Sequence, residues 1–334
     1  MKLTVVSLFI TLFILVCCGD KTMQATSANE NETGQTEIKD SIPEEIKIRE
    51  VVIEKDLLYD KHTLEDTYPY KDTVRVFQWD KIRNFLILVD SIQEKPATWG
   101  ILQNRKNKNG EAPLTSPFHR DTYKLVVDTF GTARYEGIPL FDVSDSITPV
   151  RYALDGTLVK VKRDSTKFIN SSTVYFEGNW IIPSKYIKFI EDTVVFKKVI
   201  CVDRKNQNAA TLEKVGSKWL IRSMNPVTTG LHRPPVMKET PLGIFVIQEK
   251  KRKMIYLTDD QKDYGGFAPY ASRFCNGGYL HGVPVNSPRT TEVEFSSTLG
   301  TTPRSHMCVR NATSHAQFIY NWAPVSESLV FVLE

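Results

Sequence analysis

The run Ser305-His306-Met307-Cys308-Val309-Arg310-Asn311 sets a thiol two residues from an imidazole and two from a guanidinium. In an extended segment, side chains at i and i+2 share a face, so His306, Cys308 and Arg310 would point the same way. A thiol among cations ionises more readily, and the thiolate is the nucleophile. Leu280-His281-Gly282 supplies a second imidazole upstream. The chemistry on offer is attack by sulfur with a neighbouring base. The same run also fits an ordinary strand with a buried Cys and solvated neighbours.

Beyond the first 18 residues the only thiols are Cys201, Cys275 and Cys308. An odd number in an exported chain points to a reactive cysteine. Cys201 and Cys275 could form a disulfide or stay as two buried thiols. Without a C-x-x-C or H-x-x-x-H pair among these residues, no metal site is expected. Export is read from Lys2 and the apolar run Leu3 to Cys18, 16 residues that suit a signal core better than a membrane span. Its ending, Leu15-Val16-Cys17-Cys18-Gly19-Asp20, resembles a bacterial lipoprotein signal, which implies cleavage before Cys18, lipidation of Cys18 and a membrane anchor. Gly19 after the lipidated residue favours the outer membrane, so the expected place is the cell envelope, facing the periplasm.

Residues 19–50 are polar, lack aromatics and read as a disordered tether. They carry eight acidic and four basic residues, whereas the whole chain has a net charge of +4, leaving 51–334 at +7. A basic body on an acidic tether is drawn towards anionic polymers such as cell wall or lipid headgroups. Nucleic acid is not expected, because no basic-aromatic motif is present.

The elements that must position the thiol follow from periodicity. Trp79 to Gln93 places Ile82, Phe85, Leu86, Val89 and Ile92 at helical spacing. Asp121 to Phe130 reads as a second helix stopped by Gly131, and the Asn-rich basic stretch Gln103 to Gly110 reads as a solvated surface loop. Thr132 to Ile190 changes to short strands, with hairpin turns predicted at Asp155-Gly156 and Gly178-Asn179. Its Gly-x-Trp-Ile-x-Pro-x-x-Tyr ending resembles the last strands of SH3-like small barrels. From Val194 the pattern is mainly β: Val194 to Val202, Ala209 to Val215, Lys218 to Met224, Gly243 to Gln248, Met254 to Leu257 and Ser328 to Leu333. One helix interrupts it, from about Ser314 to Trp322, started by Thr313 or Ser314 and stopped by Pro324.

The C-terminal half resembles the L,D-transpeptidase catalytic domain of bacterial peptidoglycan enzymes. The matching segments, in order, are Val227-Thr228-Thr229-Gly230, Thr240-Pro241-Leu242-Gly243-Ile244-Phe245, His281-Gly282, Ser305-His306-Met307-Cys308-Val309-Arg310 and Ala316-Gln317-Phe318-Ile319-Tyr320. The resemblance implies an α+β fold: a mainly-β catalytic domain, a mixed β-sandwich with a helix after the Cys motif. An α+β region ending in an SH3-like small barrel precedes it. The implied organisation is a signal at 1–18, a tether at 19–50, a helical and SH3-like region at 51–192 and the catalytic domain at 193–334. Two departures stand out. Met307 replaces the family's Gly and is expected to be extended, on the opposite face from Cys308; and His281 and Cys308 are 27 positions apart, a longer connection than usual that could help cover the cleft.

The implied activity, in cell-wall biogenesis and cell shape, is cross-linking of peptidoglycan stem peptides without a cofactor. Cys308 is the implied nucleophile and His281 the proton donor and acceptor. His306 shapes the site, Ser305 fixes backbone, Arg310 orients the loop or meets a carboxylate, and backbone N–H groups around Met307 and Cys308 form the oxyanion hole. The competing readings are a non-catalytic wall-binding lipoprotein that keeps the fold, an L,D-carboxypeptidase, and an enzyme that anchors proteins to the wall. A papain-like hydrolase is disfavoured because those families place Cys before His.

Overall fold

The computed structural model describes residues 50–162, 165–258 and 262–334. The expected signal, the Cys18 lipidation site and nearly all of the tether lie outside the described residues. The first half runs β1 (Ile53–Lys55), β2 (Thr67–Tyr70), β3 (Thr73–Val76), α1 (Trp79–Ile92), β4 (Thr98–Leu102), β5 (His119–Arg120), β6 (Val126–Val127), β7 (Ile138–Leu140), β8 (Arg151–Ala153), β9 (Leu158–Lys162), β10 (Phe168–Thr173), β11 (Asn179–Pro183) and β12 (Ile187–Phe189). The second half runs β13 (Lys198–Asp203), β14 (Asn208–Val215), β15 (Lys218–Pro226), β16 (Gly243–Val246), β17 (Glu249–Leu257), β18 (Tyr264–Cys275), β19 (Gly278–His281), β20 (Val285–Asn286), β21 (Val309–Arg310), α2 (Thr313–Trp322) and β22 (Ser328–Leu333). Among the described residues the fold is mainly β with two α-helices.

A six-stranded sheet in the order β1-β15-β14-β13-β22-β16 is buried on both faces. Alternation along β13 and β22 sends Val199, Cys201, Leu329, Phe331 and Leu333 to one side and Ile200, Val202, Val330 and Val332 to the other. The first side is covered by the apolar stripe of α1, with Phe85 stacked on Phe331 at 4.5 Å. The second is covered by α2 and a second sheet, β17-β18-β19-β21, through Phe274, Leu280, Val309 and Ile319. Each large apolar side chain so buried contributes about 1.5–3 kcal/mol before conformational entropy is counted. Because β1 pairs with β15 and α1 packs on the same sheet, residues on both sides of 192/193 share one core.

Several expectations are corrected. Asp121 to Phe130 is not a helix: it holds the connection and second strand of the short β5–β6 hairpin, because the Asp121 carboxylate accepts the Tyr123 and Leu125 N–H groups at 2.9 Å and competes with helical bonding. Asp155-Gly156 does make a turn, but its flanking strands diverge, β8 pairing with β7 and β9 with β4 and β10. Gly178-Asn179 closes the β10–β11 hairpin, whose first strand lies earlier than Thr173–Glu177. The third sheet, β11-β10-β9-β4-β12, leaves β11 and β12 as its edges, and no ladder among the described residues closes it into the expected small barrel. Helix α2 is not capped by Thr313 or Ser314. Its N-cap is Ala312, and Glu294 from the loop before the Cys motif accepts the Ser314 N–H at 3.0 Å. For Cys201 and Cys275 the second of the two readings holds: both are free thiols, buried on opposite faces of the central sheet.

The Asp155-Gly156 turn wedges between the two halves. Gly156 N–H donates to Leu102 O at 2.7 Å, Val246 N–H donates to Gly156 O at 2.9 Å, and a Cβ on Gly156 would lie 1.9 Å from Phe274 O. With φ at +93° and backbone that close, only glycine fits. Gly156→Ala is expected to destabilise the protein by more than about 2 kcal/mol, measured as a lower urea midpoint; an unchanged midpoint would contradict this packing.

Candidate active site

Strands β19 and β21 pair in parallel, with Leu280 opposite Val309 and His281 opposite Arg310. Leu280 and Val309 face the shared core. The next residues on each strand therefore face the other way, so Tyr279 and His281 share a face with Cys308 and Arg310. The ladder thus brings His281 diagonally beside Cys308 across the long connection that separates them in sequence.

Cys308 is 8% exposed and packs against Tyr279, Ala271 and Met254. Its Sγ–H points to Gly277 O at 3.5 Å in the β18–β19 turn, not to His281. Burial pushes the thiol pKa up; the Tyr279 N–H and the positive charges of Arg310 and Arg105 act in the opposite direction. His281 is buried, and its Nδ1 lies 2.6 Å from Gly282 O. A carbonyl only accepts, so Nδ1 carries the proton and Nε2 presents a lone pair. Burial holds its pKa down at about 4, with Arg310 adding to that and the Gly282 carbonyl opposing it. At neutral pH His281 is an uncharged imidazole able to accept a proton.

Met307 is the main correction. Its φ is +73°, a left-handed backbone and not the extended one expected. Its Cγ lies 3.5 Å from where a Cβ on Gly278 would sit, so its side chain rests against the same turn that receives the Cys308 thiol, not on an opposite face. The turn at Met307 also breaks the i, i+2 alternation upstream: His306 is exposed, while Cys308 is buried. The Met307 N–H donates to Lys238 O at 2.8 Å and is not open to an oxyanion.

The upstream motif segments converge on this loop. Gly230 N–H donates to Thr240 Oγ1 at 2.8 Å, and that hydroxyl donates to Met307 O at 2.9 Å. Thr229 O accepts the Arg304 and Ser305 N–H groups at 2.9 and 3.1 Å. The Ser305 hydroxyl donates to Cys308 O. A left-handed non-glycine residue costs on the order of 1–2 kcal/mol and persists where its surroundings over-determine it, as these bonds do.

Arg310 exchanges backbone hydrogen bonds with Thr228 at 2.8 and 2.9 Å, and its Nε is buried without a partner among the described residues. Its side chain lines a cleft of about 470 Å³ together with Arg233, Arg304, Met237, Pro284 and Thr298. Behind β19, Asn311 N–H donates to His281 O at 2.8 Å, and Asn311 Oδ1 meets Nδ1 of the buried His315, whose Nε2 lies 2.8 Å from Ser223 Oγ. Burial lowers the His315 pKa to about 3. Among the described residues no group of three or more His, Cys, Asp or Glu is placed to hold a metal. Sequence reasoning missed Tyr279 and Arg105. Arg105 lies in the loop read as solvated, where its neighbour Asn104 is fully buried and donates to Gly110 O and Gly137 O.

Residues 197–332 match the YkuD family, L,D-transpeptidase catalytic domain. The matched segment holds both His281 and the whole Cys308 motif. Among solved structures the chain is similar to an L,D-transpeptidase from Mycobacterium smegmatis (15% identity, 53% of this chain and 82% of that one, TM-score 0.34). It is also similar to one from Mycobacterium tuberculosis H37Rv (19%, 55% and 74%, TM-score 0.33). A fused Zn-dependent amidase/peptidase/peptidoglycan-binding protein from Clostridium acetobutylicum matches at 19% identity over 42% of this chain, with a TM-score of 0.31, and the match spans 53% of that protein. No curated protein matches.

Two outcomes follow for the matched domain. The unfolded chain protonates a histidine at about 6.5, whereas folded His281 does so at about 4. Between those values the unfolded state holds more protons, so this contribution is complete above pH 6.5 and is lost as pH falls towards 4, by on the order of 3 kcal/mol. Unfolding free energies measured across that window should fall with pH; a flat profile would contradict the buried neutral ring. Met307→Val should be less stable than Met307→Gly by about 1–2 kcal/mol or more, because a β-branched residue tolerates positive φ worst. Chemical denaturation of the two variants checks this.

Proposed function

We propose that the chain is a peptidoglycan L,D-transpeptidase working through a Cys308 acyl-enzyme. The observation that carries the reading is the β19–β21 ladder, which puts His281, a neutral ring protonated at Nδ1, diagonally across from Cys308 inside the matched segment. The thiol turns from Gly277 O and gives its proton to His281 Nε2. The thiolate attacks the carbonyl carbon of the third residue of a tetrapeptide stem. Collapse of the tetrahedral intermediate breaks the bond to D-alanine, whose amine takes the proton from His281, and a thioester remains. An amine of a second stem then attacks, passes its proton to His281 and restores the thiolate as the cross-link forms.

With the Met307 N–H engaged by Lys238 O, the Cys308 N–H takes the oxyanion role. The cleft lined by Arg233, Arg304 and Arg310 suits the carboxylates of acidic stems. Ser305 holds the loop through Cys308 O, and His306 shapes its outer side. Anchored through lipid on Cys18, the domain acts at the periplasmic face of the envelope.

A second reading, a wall-binding protein that has kept the fold without catalysis, draws on the left-handed Met307 and on the thiol directed away from His281. Incubation with disaccharide-tetrapeptides and mass spectrometry separates the two. Wild type is expected to release D-alanine and form dimers, Cys308→Ala to do neither, and His281→Ala to lose about 10²–10⁴ in rate. Intact substrate with the wild-type protein would favour the binding protein.

A further inference from the structure

The Cys308 thiol rests on a turn that the catalytic segment does not hold by itself. Asp155, fully buried, sends Oδ2 to the Asn276 N–H at 3.2 Å, to Arg273 Nη1 at 2.6 Å and to Gln248 Nε2 at 2.8 Å. Asn276 begins the turn whose next residue, Gly277, accepts the thiol proton. The other oxygen, Oδ1, accepts the N–H groups of Asn104 and Arg105 at 2.9 and 3.1 Å. One carboxylate therefore locks the loop of the N-terminal half to the turn under the nucleophile. From that loop Arg105 Nη1 donates to the Tyr279 hydroxyl at 2.8 Å and to Glu249 Oε2 at 3.2 Å, with its guanidinium 5.5 Å from the centre of the Tyr279 ring. Tyr279 in turn packs on Cys308.

We propose that Arg105, delivered by the N-terminal half and held by Asp155, is a positioning residue of the active site that fixes Tyr279 and keeps a positive charge behind the Cys308 thiol. It lies outside residues 197–332, so the N-terminal half completes the L,D-transpeptidase site instead of only spacing it. The inference rests on Cys308 being the nucleophile. Arg310, two residues on from Cys308, also favours the thiolate, His281 on β19 lies diagonally across from it as a neutral ring, and Arg105 acts on it across Tyr279. Glu249 of β17, paired with Arg273 and Lys251, is the anion that offsets Arg105.

The test is alkylation of Cys308 by iodoacetamide in the full chain, followed against pH by peptide mass spectrometry. Arg105→Gln removes a positive charge that favours the thiolate, so it should slow alkylation near neutral pH several-fold, up to about tenfold, and shift the profile to higher pH. Arg105→Lys should stay within about threefold of wild type. Should Arg105→Gln fail to fold, Glu249→Gln tests the same charge with the opposite sign: alkylation should speed up and its profile move to lower pH. A Gln profile superimposed on wild type, a Lys variant as slow as Gln, or a Glu249→Gln variant that does not speed up would overturn the proposal. A wild-type Cys308 that never alkylates would remove the nucleophile reading and this one with it, whereas alkylation indifferent to Arg105 removes this one alone.

Discussion

The Asp155 carboxylate is the constraint on which the site's architecture rests. A fully buried charge is tolerated only when opposite charge and hydrogen bonds surround it, and Asp155 collects donors from the 103–105 loop, from Gln248 after β16, from Arg273 on β18 and from the β18–β19 turn. Removing the carboxylate would leave Arg273, itself 7% exposed at the side chain, as a buried cation without its closest partner. The bond set is geometric as well as electrostatic. It draws the glycine turn of the N-terminal half onto the Phe274 backbone, and the position of the turn beneath Cys308 follows from that.

A second constraint sits on the other side of the sulfur. Met307 occupies a left-handed backbone that a glycine would take freely, yet its N–H and its carbonyl are both bonded, to Lys238 O and to Thr240 Oγ1. The segments Val227–Gly230 and Thr240–Phe245, which lie far from the Cys motif in sequence, thus serve as its braces. Gly230 is required there because a Cβ would fall 2.3 Å from Lys238 O. Cys308 is framed between two imposed turns, one held by Asp155 and one by Thr240.

The central sheet connects these pieces. Both of its faces are apolar, so α1 on one side and α2 with the second sheet on the other are obligatory covers and not accessories. The cover on the second side carries His281 on β19 and Cys308 immediately before β21. The loop between them adds Glu294, which receives α2's first N–H groups, and contributes to the wall of the arginine-lined cleft.

Features governed by short-range pattern were legible in the sequence. The 3.6-residue stripe of α1, the helix that stops at Trp322 just before Pro324 and the strand Ser328–Leu333 are all local consequences of apolar spacing and breakers. The motif residues were legible as types and order: a thiol, two imidazoles and a guanidinium. What the tertiary structure decided is everything set by partners distant in the chain. Asp121 and Asp128 spent their carboxylates on nearby N–H groups and turned a helical pattern into a hairpin and loop. Tyr264–Cys275 became the longest strand despite Gly265, Gly266 and Pro269, because β17 and β19 flank it on both edges. Met307 became left-handed because Lys238 and Thr240 hold it there, which the residue's own preference opposes. Arg105, read as one charge in a solvated loop, reached the surroundings of Cys308 because a buried carboxylate some fifty residues away holds its backbone N–H.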